Sequence, residues 1–283
     1  MGHARKRISL TLFTALSLWA VLVFALLSSP PRNILSWDTF GYHLYLPAVL
    51  IHQDPGVHDP TWVKEAVDTY NSSGSLYQIN KLPNDDRWVM KYPMGLAMLW
   101  SPFFVVGHIV AGLVGAPQDG FSPPYQWALT FGALLYMLMG LLVLRKVLSL
   151  FFTEHVAAAA LALTAAGTNY FHQAIQGTGM PHVFLFTLGA GVLWQSIQWH
   201  RSGRRRHALI TGALLGLLVV SRPSEIVWVF IPLLIGLPEA GSGRKHVRTL
   251  WSRRKHLVLM AATAALVRFP QLIYWKWMTG KWL

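Results

Sequence analysis

From residue 125 to residue 275 the sequence is one apolar run after another, at 125–147, 155–173, 181–199, 207–221, 225–238 and 257–275, with basic clusters between several of them. Two further runs lie upstream, at 8–27 and 93–115. About 20 apolar residues suffice to cross a bilayer as a helix. Inside lipid an open chain satisfies its backbone polar groups only as a helix. The expected fold is therefore an all-α polytopic membrane protein. Composition agrees: 12% of the 283 residues are charged, against about 25% in soluble domains, and the mean hydropathy is +0.40. Thirteen Trp, nine Tyr and fourteen Phe suit aromatic belts at the membrane interfaces. Without cysteine, disulfides, thiolate catalysis and cysteine zinc sites are excluded. The net charge of +13 would suit nucleic acid if it formed a basic face or module. It sits instead in short clusters between apolar runs, so no nucleic-acid partner is expected.

The run 93–115 decides the topology. If it does not cross, fifteen of the 24 Lys and Arg fall on the side of the N-terminus, in clusters at 5–7, 145–146, 201–206 and 244–255. If it crosses, the last three clusters move to the opposite side. The tendency of Lys and Arg to stay on the cytoplasmic side prefers the first arrangement. Pro93, Pro102, Gly95, Gly107, Gly112 and Gly115 interrupt the run, which fits a broken, interfacial or re-entrant element covered by protein. The result is about seven transmembrane helices in a single module. A first span at 8–28 has its N-terminus in the cytoplasm, a long outer loop with juxtamembrane helices covers 29–124, and six more spans fill 125–275. The first run resembles a signal sequence but is long enough to be retained as a span. The outer loop then holds eight of the eleven acidic residues, Asp38 among them. Localisation follows: an inner or cell membrane, multi-pass, with the loop on the extracytoplasmic side.

Several polar residues have structural readings on spacing alone. Asp38 in "SWDTF" stands where it could cap a helix starting near Thr39. Lys91 could be an interfacial anchor that snorkels. Arg222 is three residues from Glu225, a helix-compatible spacing for a pair. His172 and His182, ten apart, match no metal motif and read as hydrogen-bonding side chains. "NSS" at 71–73 fits a glycosylation acceptor pattern that recurs by chance.

The order of several stretches is similar to a known group. "SWDTFGYHLYLPA" (from Ser36), "KYPMGLAMLWSPFF" (91–104), "GTGMPHVFLF" (177–186), "SRPSE" (221–225) and "FPQLIYWKWMTGKWL" (269–283) together resemble the GT-C glycosyltransferases, within them the protein O-mannosyltransferase and aminoarabinose-transferase branch (glycosyltransferase family 39-like). The resemblance covers essentially the whole chain. It implies transfer of a sugar from a polyprenyl-phosphate carrier to a protein, lipid or glycan acceptor at the outer face. On that chemistry Asp38 is the general base, and Lys91 and Arg222 neutralise the departing phosphate. Tyr42 and His43 line the acceptor site, and His182 is a further binding residue. No cofactor is assigned; the arrangement leaves room for a divalent metal at Asp38 with a histidine but does not predict one. Two departures stand out. The second outer loop, "NYFHQAIQGTGMPH", lacks the acidic residue often found there. Members of the group also usually continue through further spans, so the chain resembles their N-terminal module, and an inactive fragment is one alternative. A transporter or flippase-like protein is another, although such proteins usually show repeats or charges within paired spans, whereas here the spans hold very few charges and no repeat is found.

Overall fold

A computed structural model describes residues 9–29, 33–83 and 85–282. The helical class holds, with one small addition. In chain order the elements are α1 (Leu10–Ser28), α2 (Asp38–His43), α3 (Tyr45–Leu50), α4 (Thr61–Tyr70), a hairpin of β1 (Ile79–Lys81) and β2 (Trp88–Met90), α5 (Gly95–Val114), α6 (Pro123–Leu148), α7 (Glu154–Ala166), α8 (Tyr170–Ile175), α9 (His182–Ser202) and α10 (Arg205–Ser221). A 3₁₀ segment, Pro223–Val229, follows, and then α11 (Phe230–Leu234), α12 (Leu237–Ala240), α13 (Gly243–Ser252) and α14 (Arg254–Thr279). Among the described residues four helices, α1, α5, α6 and α14, are long and apolar enough to cross a membrane.

Side-chain contacts fix the directions of the helices. At what is here termed the basal end, the Arg145 guanidinium at the foot of α6 donates to Ser9 and Thr11, and the Glu154 carboxylate opening α7 accepts from the Thr11 amide. Farther along, the Trp19 indole donates to the Leu134 carbonyl, so α1 and α6 are antiparallel. Thr187 bonds the Tyr136 carbonyl and Lys146 lies over the Trp194 ring, so α6 and α9 run parallel. The His207–Gln195 bond turns α10 back against α9. Close approaches of Gly212 to Met260 and Gly216 to Ala264 make α14 parallel to α10. Between them the chain descends through the 3₁₀ segment and α11, which bond and pack along α9 at Gly189 and His200. The 3₁₀ form explains how so short a run covers that depth, since it rises about 2.0 Å per residue instead of about 1.5 Å. All the basic clusters among the described residues from Arg145 onward lie at the basal end.

Two expectations are corrected in detail. The run 155–173 is two helices, because the chain breaks between Ala166 and Tyr170. The run 93–115 is one continuous helix despite Pro102; proline removes a single backbone donor, and neighbouring helices support the rest of the turn. Its placement is informative. Gly95 meets the backbone of Ser221 at the apical end of α10, where a Cβ would lie 2.3 Å from the Ser221 nitrogen. Near its other end Gly107 meets Tyr125 in the first turn of α6, and His108 bonds the Tyr125 hydroxyl at 2.6 Å. Helix α5 thus connects the apical ends of two bundle helices.

The apical segment 33–94 packs onto α5. His43, Trp100, Phe104 and Phe121 form one aromatic cluster, and Trp100 continues it to Phe184 of α9. Large aromatic groups dominate such burial. The hairpin and its flank are tied to α14: the Tyr274 hydroxyl accepts from the Met90 amide and the Gln271 side-chain Oε1 from the Met94 amide.

Candidate functional site

The site is built around Asp38. Its predecessor, Trp37, has φ 55°, a conformation costly for a large side chain. The backbone is held there from both sides: the Trp37 amide donates to the Ser72 carbonyl at 2.7 Å, and the Gln78 side chain donates to the Trp37 carbonyl at 3.1 Å. This turn aims the half-buried Asp38 carboxylate inward over the hairpin. Asp38 is the first residue of α2, yet it makes no side-chain cap bond. Its Oδ1 accepts instead from the Tyr92 hydroxyl at 2.6 Å and the Tyr77 hydroxyl at 2.8 Å. The capping interpretation of Asp38 is therefore replaced by a carboxylate clamped between two phenols.

Several other acidic residues between residues 33 and 124 bond near neighbours in the chain. Asp54 bonds the amide and ring of His58, Asp59 the Thr61 amide, Asp85 the Arg87 guanidinium, and Asp119 the Phe121 and Ser122 amides. These are turn and ion-pair roles of a familiar kind. Asp119 also accepts from the distant Tyr70 hydroxyl; Asp38 differs in that two tyrosines converge on one of its oxygens.

Both phenols remain protonated donors well above neutral pH. Burial is the main cause, reinforced for each by the Asp38 carboxylate it bonds. Tyr42, with its ring 4.7 Å from that of Tyr92, is likewise raised, first by burial and then by Asp38. Cations stand around this group. The Lys91 ammonium lies 5.8 Å from the Tyr77 ring centre, a cation–π distance, and its chain is exposed. Arg222 is exposed and within electrostatic range of both Tyr42 and His182. Among the described residues it forms no ion pair with Glu225, whose carboxylate accepts from the Trp228 indole at 2.9 Å instead. The contact of Gly95 with Ser221 fixes this arrangement, since it brings Arg222 beside the chain leaving Tyr92.

His43 is where the sequence-based placement fails. It is fully buried and shares α2 with Asp38, but points into the aromatic cluster, with Nε2 2.8 Å from the Gly120 carbonyl. A lining residue for an acceptor would need an open face, and His43 has none. Burial depresses its pKa to about 4, so it is neutral at physiological pH and its Nε2–H donates to Gly120. Between about pH 6.5 and 4 the unfolded chain binds a proton at this residue that the folded chain does not. Stability should therefore fall as pH drops through that window, by about 3 kcal/mol at its acid end. Thermal melting in detergent from pH 7 to pH 4 should show the fall, and His43→Gln should flatten it.

The set assembled by the structure is thus Asp38, Tyr77, Tyr92 and Tyr42, with Lys91, Arg222 and His182 around it. Tyr77 and Tyr92 are not among the residues the sequence reading selects. Tyr92 directly follows Lys91 and precedes Pro93, so the "KYP" tripeptide offered a signal; Tyr77 offered none, because its role depends on how the hairpin folds. No group of three or more His, Cys, Asp or Glu able to hold a metal ion occurs among the described residues. No family model matches the chain, and no curated protein or solved structure matches it either.

Proposed function

We propose that this chain is a membrane glycosyltransferase module that moves a sugar from a polyprenyl-phosphate carrier to an acceptor outside the cytoplasm. The single observation that carries the reading is the Asp38 carboxylate, freed from capping and held by the Tyr77 and Tyr92 hydroxyls with Lys91 at their edge. A nucleophilic acceptor must lose a proton as it attacks the anomeric carbon. A carboxylate oriented by two donors can take that proton through Oδ2, to which no described residue donates a hydrogen bond. The carrier phosphate gains charge as it leaves, and Lys91 and Arg222 are the cations that stabilise it. His182, near Arg222, belongs to the same margin. A divalent metal is not needed for this scheme.

In this reading seven segments cross the membrane: α1, α6, α7 with α8, α9, α10, the 3₁₀ segment with α11, and α14. The basal end is cytoplasmic, in keeping with its basic clusters. Helix α5 lies along the outer side, consistent with its contacts to two apical helix ends. An alkaline-phosphatase fusion after Gly120 is expected to be active and one after Ser202 inactive. An inactive Gly120 fusion would make α5 a true crossing and put Asp38 and the later loops on opposite sides.

The functional test uses protein in sealed vesicles with a labelled polyprenyl-phosphate sugar and an extract of extracytoplasmic acceptors. Label is expected to leave the lipid for an acceptor. Accumulation of free sugar inside the vesicles with the lipid donor untouched would favour a transporter and overturn this reading.

A further inference from the structure

A second feature lies away from Asp38, on the flank of the bundle. Helices α10 and α14 and the 3₁₀–α11 descent enclose a groove of about 440 Å³. Its walls are aliphatic, from Leu215, Val219, Val229, Leu257 and Leu272 among others, and Arg268 is its one charged lining residue. Arg268 stands near the middle of α14 (Arg254–Thr279), one of the helices long and apolar enough to cross a membrane. No described carboxylate lies within ion-pair distance of it. An unpaired guanidinium at such a depth is costly and marks a place where an anion is to be met.

The dimensions say which anion. From Leu257 to Leu272 the groove follows fifteen residues of helix, about 22 Å at ~1.5 Å per residue. That is the length of one extended acyl chain of ordinary membrane lipid, whereas a polyprenyl chain is several times too long to lie within it. Arg268 stands toward the apical end of this track, because Gly216 meets Ala264 and Val267 one turn below it, and Leu257 lies toward the basal end. A lipid seated here would place one tail against Leu257 and Leu215 and its phosphate at the guanidinium, the bidentate match that arginine makes with phosphate.

We infer that this groove is a binding site for an anionic bilayer phospholipid, with one acyl chain between α10 and α14 and its headgroup phosphate on Arg268. The site is separate from the donor site proposed above and stands or falls without it. Native mass spectrometry of the full chain released from mild detergent provides the test. Wild-type protein is expected to carry one phosphatidylglycerol, exchanging at least ten-fold less readily than phosphatidylcholine. Arg268→Gln should lose that preference, Arg268→Lys should keep part of it, and Ala265→Phe, which narrows the groove and leaves the charge, should lower occupancy of both lipids. Equal retention of the two lipids by wild-type protein would overturn the inference without reference to any variant. So would an Arg268→Gln protein, monodisperse and with unchanged melting, that still prefers phosphatidylglycerol. A polyprenyl phosphate or a second copy of the chain found in the groove would overturn it as well.

Discussion

Asp38→Asn is expected to lower the rate of sugar transfer by about 10²–10⁴-fold, the usual contribution of a positioned general base, while leaving the protein folded. Asparagine has the shape of aspartate and retains an oxygen that accepts from Tyr77 and Tyr92, which bond Oδ1 at 2.8 and 2.6 Å. What it loses is the capacity to take a proton. The fold should tolerate the exchange because Asp38 caps nothing and pairs with no buried cation among the described residues. The measurement is the initial transfer rate beside the melting temperature of the same preparation. A variant that melts like wild type and retains more than half the rate would remove Asp38 from the role of base.

Gly41→Ala should produce the next largest loss, by a different route. In the middle of α2 an added methyl group would ordinarily help, by roughly 0.5–1 kcal/mol. Here it would lie 2.2 and 2.4 Å from two carbons of the Tyr92 ring and 3.1 Å from the Gln78 side chain. The ring has Tyr42 on its neighbouring side, so it cannot simply turn in place. Overpacking of this kind costs about 1–3 kcal/mol and outweighs the gain in helix propensity. The Tyr92 hydroxyl must then leave Asp38, and a misplacement of about 1 Å in a catalytic group lowers rates by as much as ~10²-fold. Comparison with Tyr92→Phe separates the two effects: that variant deletes the hydrogen bond without crowding the ring. If Gly41→Ala were as active and as stable as wild type, Tyr92 would not be held where the structure places it.

The helical bundle was legible because lipid leaves so few options. Apolar runs of sufficient length mark helices, and the basic clusters among the described residues from Arg145 onward lie at one end of the bundle. Boundaries were less legible where local geometry intervened. The break before Tyr170 and the 3₁₀ form of Pro223–Val229 depend on packing against α9, which the pattern of residues does not record. Pro102 misled for a similar reason, since proline weakens a helix by one bond and a well-supported helix continues past it.

At the site, residue type and residue surroundings diverged. Asp38 and Lys91 could be singled out because charge is scarce in this chain. His43 is a candidate only by lying about one helical turn beyond Asp38, yet it belongs to the aromatic cluster around Trp100 and Phe104. Which face of a six-residue helix turns inward is set by the tertiary contacts of Gly120 and Phe121, not by its own sequence. Tyr77 and the positive φ at Trp37 were invisible for the same reason: each exists only once the hairpin has closed over α2.

The proposed transfer requires that a lipid-linked phosphate meet the cations beside Asp38. A polyprenyl-phosphate sugar bearing a photoreactive group next to its phosphate tests that claim most directly. Cross-linked to the protein in membranes and mapped by peptide mass, it should label segments containing Lys91 or Arg222, and excess unlabelled donor should suppress the labelling. Labelling spread over the lipid-facing surfaces of α1 and α7, unaffected by unlabelled donor and absent from both segments, would contradict the account.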